Sequence, residues 1–246
     1  MNIKTLKTEK ITVGAKLSDI LDSSIPSVSE HSIVVVTSKI VAICEGRVEK
    51  IGSQNKLDHI KRESDYYIPP DQSPLNITLT ITKNLLVPTA GIDESNGNGY
   101  YIFWPKDAQQ SAHDIRSYLV RRFHLANVGV LITDSRTTPM RWGTTGIALS
   151  YCGFAGLNDY IGTPDLFGRN MEVTKANIAD GLAAAAVVCM GESREQTPLA
   201  LITDIPFVTF DEKKPTKQEL SEWQIPRETD LYGPLLDSPL WKKGRG

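Results

Sequence analysis

Three unbroken apolar stretches, rich in β-branched residues, limit what this chain can fold into. They are SIVVVT at Ser32–Thr37, VGVLIT at Val128–Thr133 and LALIT at Leu199–Thr203. A strand with one wet face alternates apolar and polar residues, whereas continuous runs of this kind belong to strands buried on both faces. The second run is read as ending at Asp134. Two longer segments carry helical spacing. In Ser111–His124, Ile115, Leu119 and Phe123 recur on one side, with Arg116, Arg121 and Arg122 on the other. In Lys175–Met190, Thr174 is placed to cap and Gly191 to stop a helix. Its stripe of Ala176, Ala179, Ala183, Ala186 and Met190 suits close packing against a sheet or another helix.

Shorter patterns complete the reading. Met1–Leu6, Asn76–Ile81 and Tyr100–Trp104 read as strands and Leu17–Leu21 as a helix. Residues 53–76 read as a loop with some helix, and Pro88–Tyr100 as a Gly/Asn-rich loop. After Phe210 the chain turns polar, with Pro215, Pro226, Pro234 and Pro239, giving a tail that wraps the body or frays.

The chain has 246 residues, enough to bury a sizeable core without a disulfide or a metal. Its 27 basic and 29 acidic residues nearly cancel, which argues against a nucleic-acid groove or a membrane-surface patch. The longest apolar candidate, Ile178–Met190, is interrupted by Asp180 and Gly181 and is too short to span a bilayer. Cys44, Cys152 and Cys189 are widely spaced among apolar neighbours, as expected of buried free thiols in a reducing compartment, so a cytoplasmic location is expected.

Three polar clusters stand at the ends of apolar runs, where sheets place functional loops. Thr37-Ser38-Lys39 reads either as a phosphate contact or as a solvated turn. Ala90-Gly91-Ile92-Asp93-Glu94-Ser95-Asn96-Gly97 reads either as a tight turn or as a ligand loop, with Asp93 and Asn96 offering oxygens to a hard cation or hydrogen bonds to a nucleoside. The third cluster runs from Asp134 to Gly146. Asp134 and Ser135 suit Mg²⁺ or Mn²⁺, and Arg136 and Arg141 suit carboxylates and phosphates. Downstream, Asp159, Asp165 and Arg169 form a second polar wall or an ordered loop.

No phosphate loop of the Gly-x4-Gly-Lys-Ser/Thr type, no Gly-x-Gly-x-x-Gly, no His-Glu-x-x-His and no Gly-x-Ser-x-Gly occurs. His31, His59, His113 and His124 sit in polar or helical contexts outside the clusters, so neither a histidine base nor a zinc site is supported. What remains is oxygen-rich divalent-metal chemistry with arginines, the profile of phosphoryl transfer from a nucleotide to an acidic substrate.

Taken in order, VVVTSKIVAICEGRV, AGIDESN, VLITDS, RWGTTGIALS, NDYIGTPDLFGRNMEVT and IADGLAAAAVVCMGE resemble the γ-glutamyl ligases typified by the CofE-like enzymes that add glutamate to the coenzyme F-420 precursor. The resemblance covers about residues 1–210 and implies an α/β (mixed α+β) fold of two intertwined subdomains with mixed sheets. It leaves 211–246 as a polar tail wrapping the body. It also implies a homodimer with the active site near the dimer interface. The implied partners are L-glutamate and a nucleoside triphosphate, GTP or ATP, with Mg²⁺ or Mn²⁺. The implied reaction phosphorylates an acceptor carboxylate to an acyl phosphate, which the glutamate amine then displaces to form an amide.

Carried over by position, the resemblance assigns metal binding to Asp93, Asp134 and Ser135, and nucleotide contacts to Asn96, Ser38 and Lys39. A further nucleotide-binding stretch falls near Thr8–Ile11. A lysine of the family is replaced here at Ile43, and Lys39 is the candidate to supply its charge. Arg136, Arg141 and Arg169 are the candidates for substrate carboxylates and phosphates. Trp142, beside Arg141, is either a core tryptophan or a flat face for an aromatic acceptor. The wordings DSRTTPMRWGTT, SYCGFAGLNDYIGTPDLFGR and MGESREQTPLALI resemble a bacterial branch regarded as folate γ-glutamate ligases, which favours a folate-type acceptor over the deazaflavin precursor. A metal-dependent phosphohydrolase and a non-catalytic nucleotide-binding homologue are the competing readings.

Overall fold

The chain's computed structural model describes all residues from 1 to 246. In chain order the elements are β1 (Asn2–Leu6), α1 (Leu17–Ser24), β2 (Ser32–Thr37), α2 (Ser38–Cys44), β3 (Val48–Lys50), α3 (Lys56–Glu63), β4 (Tyr66–Ile68), β5 (Leu79–Thr82), β6 (Leu85–Pro88) and β7 (Tyr100–Ile102). There follow α4 (Ala108–Phe123), β8 (Val128–Thr137), β9 (Thr144–Cys152), β10 (Leu157–Asp159), β11 (Lys175–Asn177), α5 (Ile178–Met190), β12 (Leu199–Thr203), α6 (Lys217–Trp223), α7 (Gly233–Leu236) and β13 (Lys242–Lys243).

The three apolar runs become neighbouring strands. The main sheet has the order β1-β12-β2-β8-β9; β2 and β8 pair in parallel and every other pair is antiparallel. Alternate residues of one strand feed opposite layers. Val34, Val36, Val130 and Ile132 pack with Leu21, Ile40, Ile115 and Leu119 of α1, α2 and α4. Ile33, Val35 and Leu131 pack with Ala179, Ala183 and Ala186 of α5 on the other face. Ile33, Val34, Val35 and Val36 are all 0% exposed; each such side chain contributes about 1.5–3 kcal/mol when fully buried.

Between α2 and α4 the chain leaves this sheet and builds a second unit. Strands β13-β4-β5-β6 form an antiparallel sheet, β3 pairs β7, and Ile60, Ala90, Ile92, Tyr101 and Phe103 form a separate small core. The class is therefore mixed α+β, and only the main sheet mixes strand directions. No helix is long and apolar enough to cross a membrane.

Several local expectations are corrected. The strand read as ending at Asp134 continues to Thr137 and turns into β9, a partner strand that the sequence reading treated as loop and flank. The helix read from Lys175 begins at Ile178, capped by Asn177 rather than Thr174, because Lys175–Asn177 pair with Leu157–Asp159 as a strand. Arg116 is buried rather than on a wet face, since its guanidinium donates to the carbonyls of Val128, Ala126 and Glu212, each at 2.9 Å. His59 is fully buried, edge-on to Tyr101 and Phe103. Of the three free cysteines only Cys152 is buried; Cys44 is half-buried and Cys189 exposed.

Candidate active site

The site forms where β2, β7 and β8 end. Strand β2 hands the chain directly to α2, whose first two residues are Ser38 and Lys39. Ser38 is nearly buried, while Lys39 reaches out to the loop after β6. Its Nζ stands 2.7 Å from Asp93 Oδ2, 3.0 Å from the Ser95 carbonyl and 3.2 Å from Ser95 Oγ. Asp93 is itself braced: its backbone bridges Ile102, and its carboxylate accepts from the Ser95 amide at 2.7 Å and the Ser95 hydroxyl at 3.0 Å.

Asp134 arrives from β8. The register between β8 and β9 shifts between Ile132 and Thr133, immediately before it. Such irregularities re-aim side chains and are common beside active sites. The Asp134 carboxylate accepts from the Trp104 indole N–H and, at 2.8 Å, from the Ser135 amide. Trp104 explains a glycine of the second cluster. Gly91 has φ +72°, and a Cβ there would lie 2.2 Å from the indole. The motif needs glycine because the Trp104 indole occupies the space a side chain would take.

The two carboxylates are driven in opposite directions. Burial pushes the Asp134 carboxyl up to about 6, helped by the negative charge of Asp93, while the Trp104 N–H, the Ser135 amide and Lys39 pull it down. Burial also raises Asp93, but the Lys39 ammonium and the Ser95 donors outweigh it and hold its carboxyl below the usual carboxylate range. Carboxylates split in this way mark functional sites.

The loop after α5 closes the centre. Ser135 Oγ donates to Glu192 Oε1 at 2.7 Å, and Asn96 Nδ2 donates to the Ser193 carbonyl at 2.8 Å. The Thr8 amide donates to the Gln196 carbonyl at 3.0 Å, which brings the Thr8–Ile11 stretch to the same loop. Ile43 lies in a small apolar cluster with Ala42 and Ile102, one helical turn beyond Lys39.

Not every candidate converges. Arg136 follows Asp134 by two residues and so shares its face of β8. Arg141 and Trp142 occupy the exposed turn between β8 and β9; Trp142 is 94% exposed and is not a core residue. Arg169 sits in the exposed turn that links β10 to β11, 3.6 Å from Glu172. Neither Arg141 nor Arg169 forms an ion pair with Asp93 or Asp134 within the chain. Trp104, Ser95 and Glu192 were not singled out from the sequence. A tryptophan at the end of the YIFWP strand and an acidic residue just past the Gly191 helix stop were the available signals.

Asp93, Asp134 and the hydroxyls of Ser95 and Ser135 offer only oxygen donors, the type that suits Mg²⁺ or Mn²⁺. No group of three or more His, Cys, Asp or Glu side chains is arranged to hold a metal. A two-carboxylate set fits a cation that completes its shell with phosphate and water.

A mixed α/β frame with an opposed carboxylate pair, a lysine and hydroxyls at strand ends defines a centre suited to cation-assisted phosphate chemistry. The family follows from comparison: residues 5–204 match the family described as F420-0:gamma-glutamyl ligase, and the chain belongs to it. It is 42% identical to the coenzyme F420:L-glutamate ligase of Methanococcus maripaludis strain C7 over 132 residues, 53% of each chain. It is 39% identical to the enzyme of that name from Methanocaldococcus jannaschii over 135 residues, 54% of each. A longer match, 28% identical over 239 residues, covers 89% of this chain and 88% of the Methanopyrus kandleri protein of the same name. The chain thus spans about half the length of the Methanococcus relatives it matches.

Proposed function

We propose that this chain is a nucleoside-triphosphate-dependent γ-glutamyl ligase that joins L-glutamate to a terminal carboxylate of the coenzyme F420 precursor. The observation that carries the reading is the meeting of Asp93, Asp134 and Lys39, from three distant stretches, at one centre in a chain of this family. The names of the relatives move the acceptor from the folate type, which the sequence wording favoured, to the deazaflavin precursor.

The proposed reaction has two steps. An oxygen of the acceptor carboxylate attacks the γ-phosphorus and the nucleoside diphosphate leaves, giving an acyl phosphate. The glutamate amine attacks the acyl carbon, inorganic phosphate leaves and the amine gives up a proton. Carboxylates are poor electrophiles, and the phosphate supplies the leaving group. Asp93 and Asp134, with Ser135 beside them, would hold a divalent cation, which would supply positive charge to the phosphates. Lys39, Ser38 and Asn96 are assigned to the nucleotide, with Lys39 exchanging its contact with Asp93 for one with phosphate. Arg136 is assigned to a carboxylate or phosphate at the reacting end.

We also assign a homodimer and a cytoplasmic location. Met140 and Trp142 on the β8–β9 turn, Leu166 and Phe167 on the β10–β11 turn, and Val188 on α5 are exposed apolar side chains of the kind a second copy would bury. In that arrangement Arg141 and Arg169 are available to the partner's site. Trp142→Asp should shift the protein toward monomer in sedimentation equilibrium; an unaltered mass overturns the dimer assignment.

The ligase is tested by mass spectrometry of products from purified protein, glutamate, GTP or ATP, Mg²⁺ or Mn²⁺, and a panel holding the F420 precursor, dihydropteroate and dihydrofolate. A glutamate adduct of the F420 precursor is the expected product. A pterin adduct instead restores the folate-type acceptor, and phosphate release that ignores glutamate favours a phosphohydrolase.

A further inference from the structure

A cleft of about 1070 Å³ opens between the main sheet and the small β-sheet. Its floor carries Trp104 and Arg136, the two residues that flank Asp134. Leu85 and Leu149 line it from the two sheets. The start of α4, the β8–β9 turn and the start of α5 also line it, and one wall comes from the C-terminal segment, through Trp223, Ile225, Tyr232 and Leu235. This wall lies beyond the residues that match the family, which end at 204.

The segment is tied down on both banks. Trp223 packs edge-on to Tyr151 at 5.1 Å, and its indole N–H donates to Asn177 Oδ1 at 3.3 Å. On the other bank, Asn84 Nδ2 donates to the Ile225 carbonyl at 2.8 Å, and Arg227 stacks over Tyr66 at 4.8 Å. The wall is therefore part of the fold, anchored to β9 and β11 on one side and to the small sheet on the other.

Size and chemistry restrict the occupant. The volume is at the upper end of pockets that enclose drug-sized ligands, far beyond what glutamate fills. Lys39, Ser38 and Asn96, the groups assigned to the nucleotide, do not line it. Its lining offers tryptophans and aliphatic side chains, which suit a planar ring system. It also offers one guanidinium in need of a partner: Arg136 Nε is buried and makes no hydrogen bond. A buried donor of that kind is costly unless a ligand or water fills its valence.

We infer that residues 217–236 form one wall of the acceptor site, holding the planar ring of a heteroaromatic acid against Trp223 and Tyr232 while Arg136 receives its terminal carboxylate beside Asp134. The inference rests on the ligase reading and adds to it a specificity element outside the family's common core. It makes the tail a determinant of which acceptor is used, independent of the phosphoryl chemistry at Asp93 and Asp134.

The test uses the full chain with Trp223→Ala and Tyr232→Ala, the latter at an exposed position whose loss leaves the fold standing. Acceptor Kd is measured by calorimetry with the F420 precursor and with dihydropteroate, alongside KM for acceptor and for nucleotide. Each variant should raise acceptor Kd and KM about tenfold, the scale of one lost aromatic contact, and leave nucleotide KM within about twofold. Turnover with unchanged acceptor Kd and KM in both variants overturns the wall while the ligase stands. A selective rise in nucleotide KM overturns it equally, because the cleft would then hold the nucleotide. Tail-dependent binding of either probe without any glutamate adduct upholds the wall and sinks the ligase reading. A protein that binds neither probe overturns both.

Discussion

Lys39 Nζ and Asp93 Oδ2 stand 2.7 Å apart, joining the end of β2 to the loop after β6. The pair has one partner from each of two clusters that, taken singly, read as ordinary turns. Its geometry also bears on the family's lysine, which this chain replaces with Ile43. Ile43 is buried against Ile102, and Ile102 bridges Asp93 through the backbone. A charge at position 43 would start from an apolar cluster, whereas Lys39, one helical turn earlier, delivers its ammonium to the carboxylate directly.

Lys39→Met should therefore weaken nucleotide binding roughly ten- to a hundredfold, the equivalent of one charge-assisted hydrogen bond at about 1.5–3 kcal/mol. Calorimetric titration with GTP and ATP in the presence of Mg²⁺ measures it. Unchanged affinity would remove Lys39 from the nucleotide site and strengthen the case for a non-catalytic homologue.

Asp93→Asn and Asp134→Asn each remove a charge while keeping shape. Turnover should fall at least about 10²-fold, because stabilising the phosphoryl transition state is the dominant electrostatic demand. Circular dichroism should show an intact fold in both. Near-normal rates at saturating Mg²⁺ or Mn²⁺ in either variant would dismiss that residue as a metal ligand.

The buried Asp134 carboxyl also sets a pH dependence of stability. It titrates near 6 in the folded protein against an ordinary value of 3.8. The folded state thus holds this proton more tightly than the unfolded chain does. The contribution is fully present below about pH 4 and is lost as pH rises through 6, amounting to about 3 kcal/mol. Denaturant titrations of the metal-free protein at pH 4, 5, 6 and 7 should show wild type losing stability relative to Asp134→Asn across that interval. Added Mg²⁺ at pH 7 should recover part of the loss, since a cation favours the charged carboxylate. A constant difference between the two proteins across the series contradicts the burial of this carboxyl.

The buried strands were legible because their burial is written into consecutive residues: Ser32–Thr37 and Leu199–Thr203 have the same bounds in sequence and structure. Strand β9 was not, because TTGIALSYC breaks its apolar pattern with Gly146 and Ser150. Gly146 is explained by packing, as a Cβ there would lie 2.4 Å from the Ala183 carbonyl of α5. The acidic residues of the site were legible as residue types at strand ends. Their supports were not: Trp104 acts on Asp134 and Glu192 on Ser135 across long sequence separations. The tail's place over the cleft depends on hydrogen bonds such as Asn84 to Ile225, which no local pattern encodes.

The packing of Trp104 on Gly91 gives the last prediction. Gly91→Ala faces two penalties: a left-handed backbone at φ +72° and a Cβ 2.2 Å from the indole that donates to Asp134. Gly52→Ala is the matched control, with φ +91° and no atom within 4 Å of the added methyl. Both variants bear the conformational cost, about 1 kcal/mol for one residue forced into that region. Only Gly91→Ala must also displace the tryptophan, and overpacking of this kind adds about 1–3 kcal/mol. Gly91→Ala should therefore melt well below Gly52→Ala and lose activity that Gly52→Ala keeps, because moving the indole strips a hydrogen bond from the buried carboxylate. Equal melting temperatures and equal activities for the two variants would show that Trp104 yields freely and does not hold Asp134 in place.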